Sequence, residues 1–395
     1  MPLRSPDQAY LSRRSHFRES QVFHYRQAKF SGPQMNVYHL YTVAMATVFA
    51  VVAPPCCQNA SWDEELKHLN SVAGDFTPFG GRSDLVYEGK GEFESCNRCF
   101  QNATERHAYL NSFSTQPQSA KYGLNQFSSL SPEEFRDLYL RAIPEQALPF
   151  FGSKTKELPA KFDWRDRAVV APVQNQQACG SCWAFSVVGA MQAAKAIAGM
   201  PLEELSVQQV IDCCFQNGGC NGGSPTKALF WLQRTRINLV PQSEYPYKAK
   251  NGMCHFFSHP KGGVALRNFT TFDFSGQEEA MKAELVERGP LSAVVDAVSW
   301  QDYLGGIIQH HCSSRWPNHA VLVVGYDATG EIPFWIVQNS WGTDWGNEGY
   351  VYVKLGSNLC DGSVCCASHR GRVTLIFSLP RVLPGIADSV AAVLV

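Results

Sequence analysis

The sequence is short of charge. Only 17% of its 395 residues are Asp, Glu, Lys or Arg, and 34 basic residues stand against 35 acidic ones, a formal net charge of -1. Such a balance supplies no basic field for nucleic acid and no acidic tail. A long hydrophobic run is also lacking. The apolar stretch that stands out, Val43 to Ala53 (VAMATVFAVVA), falls well short of the ~20 residues that a bilayer-spanning helix needs. No internal repeat is visible, which excludes a solenoid or array. The cysteines between Cys179 and Cys312 do not form repeated zinc-type pairs, so the 14 in the chain point to an oxidising compartment.

What is present agrees with that compartment. Three sequons occur, at Asn59, Asn102 and Asn268, each an expected glycosylation site. The Val43–Ala53 run has the length of a signal-peptide core and ends in small residues before Pro54-Pro55. Residues 35–55 are therefore expected to be a signal peptide started at Met35, with an uncleaved anchor as the alternative. Residues 1–34, rich in Arg, become an extra N-terminal segment of doubtful status.

Further along, Glu64 to Leu140 is charged and helix-prone. Ser131-Pro-Glu-Glu134 reads as a helix start, with Ser as cap, Pro in the first turn and Glu closing a capping box. Arg141 to Leu158 carries prolines, Gly152 and close-set charges, the composition of a linker open to proteolysis. Ala-rich apolar positions at helical spacing run from Cys182 to Met200, where Gly199 and Pro201 stop them. A second helix starts near Ser206. Strand-like segments follow at 291–295, 320–326, 334–338 and 350–354. Helices first and strands later argue for an α+β fold.

The block Gln174-Asn-Gln176-Gln-Ala-Cys179-Gly-Ser-Cys182-Trp-Ala-Phe carries the chemistry. Cys182 stands at a helix N-terminus, where unsatisfied N–H groups favour a thiolate, and a thiolate can attack an amide carbonyl. Such an attack needs a base, a group to orient it and donors for the oxyanion. Asn318-His319-Ala-Val lies 319 − 182 = 137 residues downstream, and Gln338-Asn339-Ser-Trp341-Gly lies 339 − 182 = 157 downstream. Taken alone, Cys179-Gly-Ser-Cys182 is also a redox or zinc motif and His319 a core histidine. The three blocks in this order outweigh those readings. His310-His311-Cys312 looks metal-like but is read as loop, and whether Cys96 and Cys99 close a small bridge is open.

With these three blocks the chain resembles the papain-like cysteine proteases, and among them the lysosomal cathepsins. The resemblance implies a two-lobed fold, with a helical left lobe and a β-barrel-like right lobe, preceded by a helical pro-domain. It implies that Cys182 is the nucleophile, His319 its imidazolium partner and Asn339 the residue that orients the ring under the cover of Trp341. Gln176 and the Cys182 N–H would form the oxyanion hole. Gly222 and Gly223 would hold the substrate backbone, and Ser224, Pro225, Ala320 and Ser389 would face the S2 pocket. Implied disulfides are Cys179–Cys220, Cys213–Cys254 and Cys312–Cys360, with no partner for Cys214.

The same resemblance divides the chain into an inhibitory pro-region, 56–157, and a catalytic domain, 158–395. In the pro-region Glu92 and Asn111 fit the family's helical pattern, whereas Cys96, Ala103 and His107 depart from it. Gly123, Asn125 and Phe127 fit its second motif, but Ser129 replaces an acid there, which leaves the usual acid trigger in question. After Cys360, the stretch Asp361 to Pro384 adds 384 − 360 = 24 residues before the family pattern resumes at Gly385. This atypical insertion is either an exon artefact or an exposed loop. The expected protein is a monomeric lysosomal endopeptidase without metal or cofactor. Its partners would be protein and peptide substrates, its own pro-region and cystatin-type inhibitors, and no nucleic acid. The competing reading is a papain-fold binding protein without activity.

Overall fold

A computed structural model describes residues 90–152, 157–255, 262–310, 317–357 and 386–395, with the backbone alone over 90–100. The segments 1–34 and 35–55, Asn59, the Cys312–Cys360 bridge, the side chains of Cys96 and Cys99, and the insertion 361–384 lie outside the described residues.

Before Leu158 the chain forms α1 (Lys90–Asn111), the short strand β1 (Lys121–Tyr122) and α2 (Pro132–Tyr139). Helix α2 begins as its sequence dictates. Ser131 Oγ accepts from Glu134 N while the Glu134 carboxylate accepts from Ser131 N, so two orphan donors are satisfied reciprocally. Strand β2 (Lys161–Asp163) opens the remainder, followed by α3 (Cys182–Ile197), α4 (Val207–Cys213) and α5 (Pro225–Thr235). Helix α3 is apolar nearly all round because both faces are covered, by helices on one side and by sheet on the other. Ser206 caps α4 and Ser224 caps α5 through their hydroxyls.

A two-stranded pair, β3 (Asn238–Leu239) with β4 (Val264–Ala265), leads to β5 (Asn268–Phe272), α6 (Glu278–Arg288) and β6 (Leu291–Val295). Then come β7 (Tyr303–Gly305), β8 (Ile307–Ile308), β9 (His319–Asp327), β10 (Phe334–Gln338), β11 (Tyr350–Lys354) and β12 (Val390–Leu394). The main sheet runs β5-β12-β6-β9-β10-β11-β8, with β2 added beside β9. Its pairs are antiparallel except β11 with β8.

Strand β9 is the hinge of the architecture. Alternate residues point to opposite faces, so Val321 and Val323 enter one apolar cluster while Leu322 and Val324 enter the other, against α3. The first cluster also takes in Leu110, Phe127, Phe135 and Tyr139 from before Leu158. Strand β1 pairs antiparallel with β7. The fold is therefore α+β, a helical lobe against a strand-rich lobe, with the amino-terminal segment packed on the latter.

Candidate active site

Cys182 is the first residue of α3 and His319 the first of β9, and Cys182 packs against Ala320, the residue after His319. Cys182 and His319 are both fully buried. Asn339 follows the end of β10, the strand beside β9. His319 Nε2 lies 2.7 Å from Asn339 Oδ1. The Ser340 N–H also donates to that oxygen, at 2.8 Å, which identifies the atom as acceptor and requires Nε2 to carry a proton. Nδ1 makes no hydrogen bond of good geometry, although the Tyr139 carbonyl lies near enough to favour the protonated ring. The Trp341 ring sits 4.6 Å from the imidazole, centroid to centroid, and is itself fully buried.

Gln176 is held at both ends of its amide. Its Oε1 accepts from Ser340 Oγ at 2.7 Å, which aims Nε2 away from Ser340. Nε2 donates to the carbonyls of Cys179, at 2.9 Å, and of Tyr139, at 3.1 Å. Tyr139 belongs to the segment before Leu158, so a peptide carbonyl of the chain itself occupies the Gln176 donor.

That segment continues along the glycines. Gly223 N donates to Arg141 O at 3.1 Å, Ile143 N donates to Gly223 O at 2.8 Å, and Ala142 pairs in parallel with Gly223. A Cβ at Gly222 would stand 2.5 Å from Arg141 O, and φ there is +113°, a conformation that suits only glycine. On the opposite wall Ala142 N donates to Asn318 O at 2.9 Å. Ala142, Cys182, Val294 and Ala320 form one small apolar cluster, so the nucleophile candidate is roofed by Ala142.

Of the four S2 candidates, Ala320 reaches this cluster. Ser389 stands beside it, its carbonyl accepting from Val294 N at 3.0 Å. The Ser224 hydroxyl is turned to the first turn of α5, and Pro225 occupies the first position of that helix.

Burial dominates the electrostatics. It pushes the Cys182 thiol up to about 11, against backbone donors that lower it, and pulls His319 down to about 4 despite the Asn339 bond. Burial under residues 139–143 disfavours the charged form of each group. For Cys182 desolvation outweighs the backbone donors around the thiol.

Cys179–Cys220 and Cys213–Cys254 are disulfide bonded, and Cys214 is a buried free thiol. Among the described residues no cluster of three or more His, Cys, Asp or Glu could hold a metal ion, and no helix is long and apolar enough to cross a membrane. Sequence reasoning did not find Ser340 or Tyr139, which reach Gln176 from 164 and 37 positions away, beyond the range of any local pattern.

Comparison with known proteins agrees with this geometry. Residues 158–369 match the family described as papain family cysteine protease. Cathepsin O of Homo sapiens is 55% identical over 268 residues, covering 66% of this chain and 83% of that protein. Cathepsin O of Mus musculus is 51% identical over 300 residues, covering 75% and 88%. Among solved structures, digestive procathepsin L2 from Tenebrio molitor larval midgut superposes with a TM-score of 0.66 at 25% identity, covering 84% of this chain and 99% of that one. A recombinant stem bromelain precursor superposes with a TM-score of 0.64 at 26% identity, covering 84% and 98%.

Proposed function

The chain belongs to the papain family of cysteine proteases, and from that premise we propose that it is a lysosomal endopeptidase made as a zymogen. One observation carries the zymogen reading. The Tyr139 carbonyl takes the Gln176 amide while residues 141–143 line the glycine wall, so the pro-region lies where a substrate backbone would lie.

With the pro-region gone, His319 Nδ1 takes the proton of Cys182, and the thiolate attacks the substrate carbonyl carbon. A C–S bond forms, and the oxygen becomes an oxyanion held by Gln176 Nε2 and the Cys182 N–H. The C–N bond breaks as the imidazolium gives its proton to the departing amine, leaving an acyl thioester. Water, deprotonated by His319, then attacks that carbonyl. The C–S bond breaks and the acid product leaves. Asn339 holds Nε2–H throughout, and Trp341 shields that bond from water.

Gly222 and Gly223 bind the substrate backbone, and Ser224, Pro225, Ala320 and Ser389 border the S2 pocket. Leu148 and Phe151, 76% and 91% exposed, place the linker before Leu158 within reach of a cleaving protease. A cleft emptied in this way would also admit cystatin-type inhibitors. Asn102 and Asn268 are exposed, as glycosylation during secretory transit requires. The enzyme works as a monomer.

The test is to express the protein from Met35, acidify it and add a thiol-directed epoxide. Labelling at Cys182 that disappears in Cys182→Ala is the expected result. A folded chain that takes no label after losing its pro-region would instead favour a binding protein.

A further inference from the structure

Among the described residues four serines stand at α-helix N-cap positions, and one behaves differently. Ser131, Ser206 and Ser224 each accept a backbone N–H of their own helix. Ser181, ahead of α3, makes no such bond. Its hydroxyl lies 2.9 Å from the hydroxyl of Tyr247, in the segment between β3 and β4.

The direction of these bonds follows from counting protons. Tyr247 Oη lies 2.6 Å from the Gln176 backbone carbonyl, which can only accept. The single phenolic proton is therefore committed to Gln176. Ser181 must then donate to Tyr247, in preference to the Cys179 carbonyl at 3.4 Å. A chain of donors runs from Ser181 through Tyr247 to Gln176. The Tyr247 ring is fixed edge-on to Phe185 of α3, centroids 5.0 Å apart. Burial raises the phenol's affinity for its proton, so it stays a donor through the acidic and neutral range.

We infer that Tyr247 is a positioning residue for hydrolysis, clamping the segment of the oxyanion donor Gln176 to the segment of the nucleophile Cys182 and drawing the Ser181 hydroxyl away from the end of α3. The inference rests on the proposed proteolytic role of Cys182 and Gln176. It has two physical consequences. The backbone that carries Gln176 is fixed relative to Cys182, so both oxyanion donors keep their spacing. The first turn of α3 stays uncapped by a side chain, so its N–H groups direct their partial positive charge at the thiolate.

The test compares wild type, Tyr247→Phe, Ser181→Ala and the double variant, each expressed as the full chain, activated, and counted by epoxide titration of Cys182. Loss of the phenolic hydroxyl is expected to lower kcat roughly tenfold with KM within about twofold, the scale of one hydrogen bond. The acidic limb of the kcat/KM profile should move to higher pH, because the thiolate loses support. Ser181→Ala should change both readouts in the same direction by less, and the double variant should be no worse than Tyr247→Phe.

A Tyr247→Phe enzyme with a lower Tm but an unchanged kcat and pH limb would overturn the inference and leave the residue a packing role. If Tyr247→Phe does not fold, the limb in Ser181→Ala decides, and an unshifted limb counts against the clamp. A wild-type chain that takes no epoxide removes the proteolytic reading and this one with it. An active wild type beside an equally active Tyr247→Phe removes this one alone.

Discussion

Arg106 of α1 meets Asp302 of the catalytic domain across 196 positions of sequence, Nη2 to Oδ1 at 3.1 Å, with Nε on the second carboxylate oxygen. The Asp302 side chain is fully buried and that of Arg106 is 19% exposed. His107 Nε2 approaches the same carboxylate at 3.2 Å, outside hydrogen-bond geometry. The pro-region is thus fastened at a point remote from the cleft.

Removing Arg106 takes both guanidinium hydrogen bonds from a buried carboxylate, which makes it the more damaging half of the pair to lose. Arg106→Ala is expected to weaken pro-region docking by about 3 kcal/mol, the low end for a broken buried pair given the partial exposure of the guanidinium. Arg106→Lys should be intermediate, because an ammonium cannot reproduce the two-pronged contact. Epoxide labelling of the full chain at neutral pH reads this directly. Arg106→Ala should label faster than wild type, and equal time courses would refute the anchoring role.

How much of this was legible in sequence depends on the range over which each signal acts. The capping box at Ser131, the start of α3 at Cys182, and strands 291–295, 334–338 and 350–354 are written in local spacing, and each occupies those residues. Strand β2 is three residues long and exists because β9 offers it an edge. Strand β1 exists in the same way through β7. Asp302 and Ser340 had no local signature, since their partners come from the other end of the fold. The surroundings of Cys182 are a related case. Its helix position is local information, but its solvation is set by Ala142.

Ser340 provides a graded test of the oxyanion site. Gln176→Ala removes a donor and should cost about 10²–10³ in kcat. Ser340→Ala leaves the donor but frees the amide to rotate, so its loss should be nearer tenfold and confined to kcat. A Ser340→Ala enzyme that changes only KM would show that the bond to Oε1 does not orient the amide.

Cys213 and Cys214 are adjacent at the end of α4, and the first of them is the bridged one. Cys213 bonds Cys254, while the Cys214 sulfur accepts from Asn217 Nδ2 at 3.7 Å. The bridge closes a separation of 41 residues, for which chain entropy predicts about 4 kcal/mol. Paired Cys213→Ser and Cys254→Ser should therefore lower unfolding stability by several kcal/mol. Cys214→Ala, with an ordinary buried-cysteine loss of ~1 kcal/mol, should cost far less. Denaturant midpoints measure both, and equal losses would contradict the assignment.

Acid release of the pro-region is expected although Ser129 replaces the acid of the pro-region motif, because His319 supplies a second route. Burial under the pro-region pulls its pKa down to about 4 from an ordinary value near 6.5. The docked chain therefore binds fewer protons than the undocked one between those two values. In Cys182→Ala, where no thiolate holds the imidazolium, docking is by linkage fully favoured above pH ~6.5 and loses up to about 3 kcal/mol as pH falls to ~4. Hydrogen exchange in Cys182→Ala, which cannot process itself, reads this at the Ala142 and Ile143 amides that bond Asn318 and Gly223. Their protection should fall between pH 6.5 and 4 after correction for intrinsic exchange, and adding His319→Gln should flatten that step. Protection that stays constant over the range would mean that the imidazole keeps its water when the pro-region docks.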